Sequence, residues 1–216
     1  MLHLTAELDS KLRRAVEDFD FNSYTRLLSE FANNDLSAFY FDIRKDVLYC
    51  DVNALTGVQS ERRRAYRTVL DALFHGLVRW LAPVLVFTSE EVWGTRFPDA
   101  GSVHLLEWPE VPLVVNSGDE KWDRLRTLRS EVTETIEPLR RDKVIGSSLE
   151  AEVTIPEMIA SPEELAELFI TSTVRPGDAL TVEKTSNRKC GRCWRHLPEV
   201  PEDGALCARC DEVVNG

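Results

Sequence analysis

Two cysteine pairs, Cys190-x-x-Cys193 and Cys207-x-x-Cys210, stand thirteen residues apart near the end of the chain. No other feature restricts the fold as tightly. A CxxC turn aims both of its sulfurs at one point, and two such turns on a short loop can enclose a tetrahedral ion with four thiolates at roughly 2.3 Å. The interval is slightly shorter than the commonest double-CxxC spacing, but Pro198, Pro201 and Gly204 supply the turns to span it. The pattern predicts one structural Zn²⁺ held by Cys190, Cys193, Cys207 and Cys210, with no open position for a catalytic water. The competing reading is a redox pair or disulfides. A redox motif needs only one pair, and disulfides belong to oxidising compartments.

Few apolar residues lie between Ser186 and Gly216, so the metal must supply most of that segment's folding energy. Trp194 directly follows the second cysteine and is flanked by Arg192 and Arg195; Lys189 precedes the first cysteine. The run from Lys184 to Arg195 contains five basic residues and no acidic one. Tryptophan among guanidinium groups can form a stacking platform for an unpaired base, with cations on its phosphates. It can equally lie flat on the metal core and shield it. Spacing alone leaves both readings open.

The net charge of −11 argues against indiscriminate nucleic-acid binding, which needs Lys and Arg to neutralise phosphates, but it allows a local basic face. Other basic clusters, "ERRRAYR" at 61–67, "WDRLRTLR" at 122–129 and "RRDK" at 140–143, read as solvated helix faces. The longest apolar run, "WLAPVLVF", falls far short of the ~20 residues that span a bilayer, and "MLHLTAELDSKLRR" has no secretory pattern. With an odd cysteine count, a reducing compartment and a cytoplasmic location are expected, Cys50 being a small buried or half-buried apolar residue. The opening residues start inside a helical pattern, as a piece of a longer protein would.

Leu8, Leu12, Val16 and Phe19 fall at helical spacing, predicting an amphipathic helix over 4–19. A longer one runs from Tyr24 through Leu27, Leu28, Phe31, Leu36, Phe39 and Tyr40 to Ile43. A third carries Tyr66, Leu70, Leu73, Phe74, Leu77, Val78 and Leu81, and Pro83 must stop or kink it. "TSEEVWG" predicts a fourth, with Thr88 and Glu91 at capping-box spacing; Glu90–Glu91 and Glu163–Glu164 are explained by capping and the helix dipole. His75 reads as a hydrogen-bonded packing residue. Prolines and glycines mark 97–118 as a connector. Helix returns at Trp122–Leu139. A half-buried strand follows at Leu149–Ile155, then a helix with Ser161 as N-cap, Pro162 at its first position and Glu164 closing a capping box. "DALTVEK" is a short strand. The fold expected is mainly α: a helical bundle over 1–97, a connector over 98–118, a small α/β unit over 119–185 and a Cys₄ zinc knuckle over 186–216.

The chain holds no Gly-rich phosphate loop, no G-x-S-x-G, no H-E-x-x-H and no catalytic constellation. Three stretches, "NDLSAFYFDIRKDVLYCD" (34–51), "RTVLDALFHGLVRWLAPVLVFTSEEVW" (67–93) and "KVIGSSLEAEV" (143–153), followed by "KCGRCW", resemble the C-terminal part of bacterial-type isoleucyl-tRNA synthetases. They occur in the family's order and cover most of the chain. The resemblance implies that the bundle binds the anticodon side of tRNA, packed on the inner elbow and stem, and that the zinc unit helps hold the anticodon loop. It implies Cys190, Cys193, Cys207 and Cys210 as ligands and Trp194 as a base contact. Lys189, Arg192 and Arg195 carry over as phosphate contacts mainly through their charge.

The family's His-x-Gly-His and Lys-Met-Ser-Lys-Ser signatures are missing, as is an editing domain, and the segment between "EAEVTIP" and the cysteines is short. ATP would therefore be used only by an upstream catalytic domain, and this chain by itself is expected not to charge tRNA. The expected partners are tRNA for isoleucine and the upstream catalytic and editing domains of the same polypeptide, with no membrane and a monomeric state. The rival readings are a zinc-stabilised DNA-binding module and a protein-interaction module.

Overall fold

The computed structural model describes residues 1–53, 56–112 and 119–215. Helix α1 (Leu2–Glu17) and α2 (Phe21–Glu30) are joined by a turn in which Phe19 takes a left-handed conformation. Asp20 caps α2, its carboxylate accepting the Ser23 N–H at 3.0 Å. The long second helix expected from the periodicity continues to Cys50 in three parts: α2, a π-helical stretch over Phe31–Phe41, and α3 (Asp42–Cys50). The apolar pattern explains the wide middle turn. Tyr24, Leu28 and Phe31 are buried at α spacing, and Leu36 is buried five residues after Phe31. Bonding from i to i+5 keeps residues five apart near one face. Ile43, Val47 and Cys50 then resume α spacing as buried residues.

Helix α4 (Glu61–Leu81) ends two residues before Pro83, as expected. Helix α5 (Val86–Arg96) differs from its forecast: it starts ahead of Thr88, with Leu85 at its N-cap position and no side-chain cap. The Ser89 N–H already bonds the Leu85 carbonyl at 2.8 Å, so Thr88 lies inside the first turn and cannot cap it. Glu90 has another task as well. Its carboxylate accepts the Ser102 hydroxyl at 2.8 Å and the Val103 N–H at 3.0 Å, holding a 3₁₀ turn (Val103–Leu105) in the expected connector. Residues 113–118 of that connector lie outside the described residues.

The chain forms two compact units. The first comprises 1–44 and 61–117, and among the described residues its main core gathers Leu8, Leu12 and Ala15 of α1, Tyr24 and Leu28 of α2, Phe31, Leu36, and Leu73 and Trp80 of α4. Tyr24 donates its hydroxyl to the Trp80 carbonyl at 2.7 Å, fully buried. A smaller core joins Val78, Ala82, Trp93 and Val103. Beside it His75 stacks on Phe97, ring centroids 5.6 Å apart, and meets Phe74 and Trp93 edge-on. It is a packing residue, but its Nδ1 has no hydrogen-bond partner among the described residues.

The second unit comprises 45–60 and 118–216. The expected boundaries follow chain order, whereas this unit recruits a segment from far upstream. Helix α6 (Asp119–Arg141) packs on α7 (Pro162–Phe169) and on a mixed three-stranded sheet. Strand β1 (Ala151–Ile155) is central, with β2 (Thr173–Pro176) parallel to it across the α7 crossover and β3 (Thr181–Lys184) antiparallel on its other edge. Ala151, Val153 and Ile155 are wholly buried. Leu149 falls in a 3₁₀ turn preceding β1. The capping box of α7 forms as the sequence predicts: Glu164 N–H to Ser161 Oγ at 3.2 Å, and Ser161 N–H to Glu164 Oε2 at 3.1 Å. Strand β2 has no clear alternation, and no sequence signal announces it. Two short strands, β4 (Arg188–Lys189) and β5 (His196–Leu197), and helix α8 (Ala208–Asn215) frame the cysteines.

Candidate metal centre and nucleic-acid interface

The first cysteine pair sits on the β4–β5 hairpin and the second at the start of α8. In the hairpin, the Cys190 N–H bonds the Arg195 carbonyl at 2.9 Å and the Trp194 N–H bonds the Cys190 carbonyl at 3.1 Å, which makes the tight turn. The loop to α8 lies against it: Gly191 N–H to Ala205 O at 3.0 Å, Gly204 N–H to Lys189 O at 2.9 Å, and Lys189 N–H to Asp203 Oδ1 at 2.8 Å. Gly191 is needed for this approach, because a Cβ there would stand 2.3 Å from the Gly204 carbonyl oxygen. Val200 completes a small core with Cys190, Cys207 and Cys210. The Ser172 hydroxyl, just before β2, donates to the His196 carbonyl at 2.7 Å and so joins the hairpin to the α/β sheet.

The four sulfurs lie within 4.8 Å of one another, with Cys193 Sγ and Cys207 Sγ 3.9 Å apart. Thiolates on a tetrahedral ion at about 2.3 Å would be separated by about 3.8 Å, whereas a disulfide needs about 2.05 Å. All five cysteines are free thiols. The donor set therefore fits a metal ion and not a pair of disulfides. Burial raises the Cys190 thiol, but the backbone N–H groups of Cys193, Arg192 and Cys207 outweigh it and bring the thiol down to about 6; the Cys207 N–H is 3.3 Å from its sulfur. Burial and neighbouring sulfurs push Cys193 and Cys207 up. A divalent ion among them would favour thiolate at all four.

Trp194 has a left-handed backbone, φ 65°, a conformation that costs a side-chain-bearing residue roughly 1–2 kcal/mol. The residue is 62% exposed, so its ring does not lie flat on the metal core. The Lys189 ammonium stands 5.3 Å from the ring centroid, within cation–π range. Arg195 is half-buried and near enough to Asp46 to help lower that carboxyl.

Arg192 points elsewhere. Its Nη1 donates to the Cys50 carbonyl at 2.7 Å and lies 3.8 Å from Cys210 Sγ. The corresponding position of the second pair is Arg209, which the sequence reading does not single out. Its guanidinium forks onto Asp46, Nη1 to Oδ2 at 2.6 Å and Nη2 to Oδ1 at 3.0 Å, and reaches Asp51 Oδ1 at 3.2 Å. Burial alone would raise Asp46, but the hydrogen bonds and charge of Arg209 outweigh it and hold the carboxyl below its usual value. Cys50 is buried, and burial together with the Asp46 charge pushes its thiol up to about 12. The signal that points to Arg209 is repetition, since both pairs read Cys-x-Arg-Cys when Arg192 and Arg209 are set side by side.

Four converging thiols that could hold a metal ion lie beside an exposed tryptophan under a lysine. No helix among the described residues is long and apolar enough to cross a membrane. Comparison with known proteins gives the family: residues 1–155 match the anticodon-binding domain of tRNA ligase, and the chain belongs to that family. Its relatives include the isoleucine–tRNA ligase of Zymomonas mobilis, 59% identical over 99% of this chain and 24% of the relative. Those of Gluconobacter oxydans and Agrobacterium fabrum are 44% and 41% identical, over 100% and 94% of this chain and 24% and 23% of their own lengths. The chain thus spans about a quarter of the curated relatives it matches. Over residues 1–155 it is an anticodon-binding portion of a tRNA ligase.

Proposed function

We propose that this chain recognises tRNA for isoleucine on behalf of a cytoplasmic isoleucine–tRNA ligase, whose ATP-dependent charging and editing belong to upstream domains of the same polypeptide. The chain acts as part of a monomer. One Zn²⁺ on Cys190, Cys193, Cys207 and Cys210 holds the hairpin rigid. Trp194 stacks on an unpaired anticodon base, while Lys189 and Arg195 offer positive charge to the adjoining phosphates. Arg192, turned toward Cys50 and Cys210, serves from inside the clasp and not as a phosphate contact. Docking of the anticodon end positions the distant acceptor end; the bases carry specificity and the phosphates orientation.

The observation that carries this reading is Trp194 itself: a large ring kept exposed at a backbone position where glycine would be less strained. A purely structural clasp gains nothing from that choice. Elemental analysis should find one zinc per chain. Binding to tRNA for isoleucine should weaken with salt. Lys189→Ala and Arg195→Ala should each make the log–log slope shallower by roughly 0.7 to 0.9, the amount expected when one phosphate is no longer neutralised. Equal competition by duplex DNA, or affinity indifferent to salt, would contradict it.

A further inference from the structure

We infer that Arg192 and Arg209, the third residues of the two CxxC turns, are positioning residues that join the metal centre to the end of α3, so that the ion and residues 45–53 and 56–60 are held as one cooperative unit. This rests on the metal reading above but not on tRNA binding. The two arginines occupy equivalent places in the two turns, and both reach into the same short segment. Arg192 bridges the Cys50 carbonyl and the sulfur of Cys210. Arg209, one residue before Cys210, bridges Asp46 and Asp51.

The segment depends on these contacts. Asp51 is only 6% exposed, and its carboxylate accepts the Ser60 hydroxyl at 3.0 Å on one oxygen and Arg209 on the other. A carboxylate so buried is costly without a cation. The turn that follows carries an isolated bridge, Val52 with Gln59, and the Asn53 N–H bonds the Val58 carbonyl at 2.8 Å. In the other direction, four thiolates on a divalent ion carry two net negative charges. The Arg192 guanidinium, held at the sulfur by its bond to Cys50, offsets part of that charge. Outer contacts of this kind change metal affinity by about 10- to 100-fold when removed. Coupling of this sort is reciprocal: what the ion does for the segment, the segment does for the ion.

The test is hydrogen exchange, read by mass spectrometry, on the 216-residue chain with one equivalent of zinc and after chelation. Peptides covering 45–53 and 56–60 should lose protection together with those of the clasp, while peptides of α1 and β1 keep theirs. Metal affinity, measured against a competing chelator, should fall about tenfold or more in Arg192→Met. It should also fall in Asp46→Asn, and Arg209→Met combined with Asp46→Asn should cost less than the sum of the two. Protection of 45–53 and 56–60 that survives chelation, or unchanged zinc affinity in Asp46→Asn, would overturn the inference. A chain that binds no zinc at all would instead overturn the metal reading, and elemental analysis separates the two.

Discussion

Arg209 and Asp46 form a forked ion pair across 163 positions of sequence, at 2.6 and 3.0 Å, with each side chain 28% exposed. Breaking a fully buried pair costs about 3–5 kcal/mol; at this partial exposure Arg209→Met should cost about 2 kcal/mol in urea unfolding of the metal-loaded chain. The pH dependence has a definite sign. Asp46 is lowered from 3.8 when folded, so the pair's stabilisation is present above that value and disappears as pH falls through the lower folded one. The stability gap between wild type and Arg209→Met should therefore be constant near neutrality and shrink below about pH 4.

Tyr24 links α2 to α4 through its bond to the Trp80 carbonyl. Tyr24→Phe should cost about 1–1.5 kcal/mol, seen as a lower urea midpoint. Burial raises the phenol from 10.0 to about 12. Its stabilisation is then complete below pH 10 and is lost as pH rises toward 12. Wild type should lose stability across that interval more steeply than Tyr24→Phe.

The capping box on α7 is reciprocal. Ser161→Ala should destabilise the α/β sheet region by about 1 kcal/mol, and Ser161→Asp should recover most of it by urea titration. A loss of zinc in Ser161→Ala would count against treating the cap as a local feature.

The elements legible in the sequence are those whose signal is local. Helices α1, α4 and α6 carry sustained apolar periodicity, α7 carries its cap, and the cysteine spacing picks out the four thiols that the structure brings together. What stays hidden depends on partners distant in sequence. The π-helical turn follows from where Phe31 and Leu36 must point within a core. Strand β2 forms because α7 returns the chain beside β1, not because Thr173–Pro176 alternates. Thr88 stands at the right distance from Glu91 for a capping box, but the backbone begins the helix before it. In sequence Arg192 looks like a phosphate contact, and Arg209 stands out only as its counterpart in the repeated Cys-x-Arg-Cys pattern. Only the return of Asp46–Asp51 to the clasp separates them from Lys189, whose ammonium lies over the Trp194 ring.

The most direct test of the central claim is the affinity of the zinc-loaded chain for tRNA for isoleucine and for the same tRNA with its anticodon replaced, in wild type and in Trp194→Gly. Glycine suits the left-handed position, so the variant should keep its zinc and gain about 1 kcal/mol of stability, which separates binding from folding. The account predicts that wild type prefers the native anticodon and that Trp194→Gly loses the preference while remaining folded and metal-loaded. An unchanged preference in Trp194→Gly would contradict it and leave the clasp a structural cap.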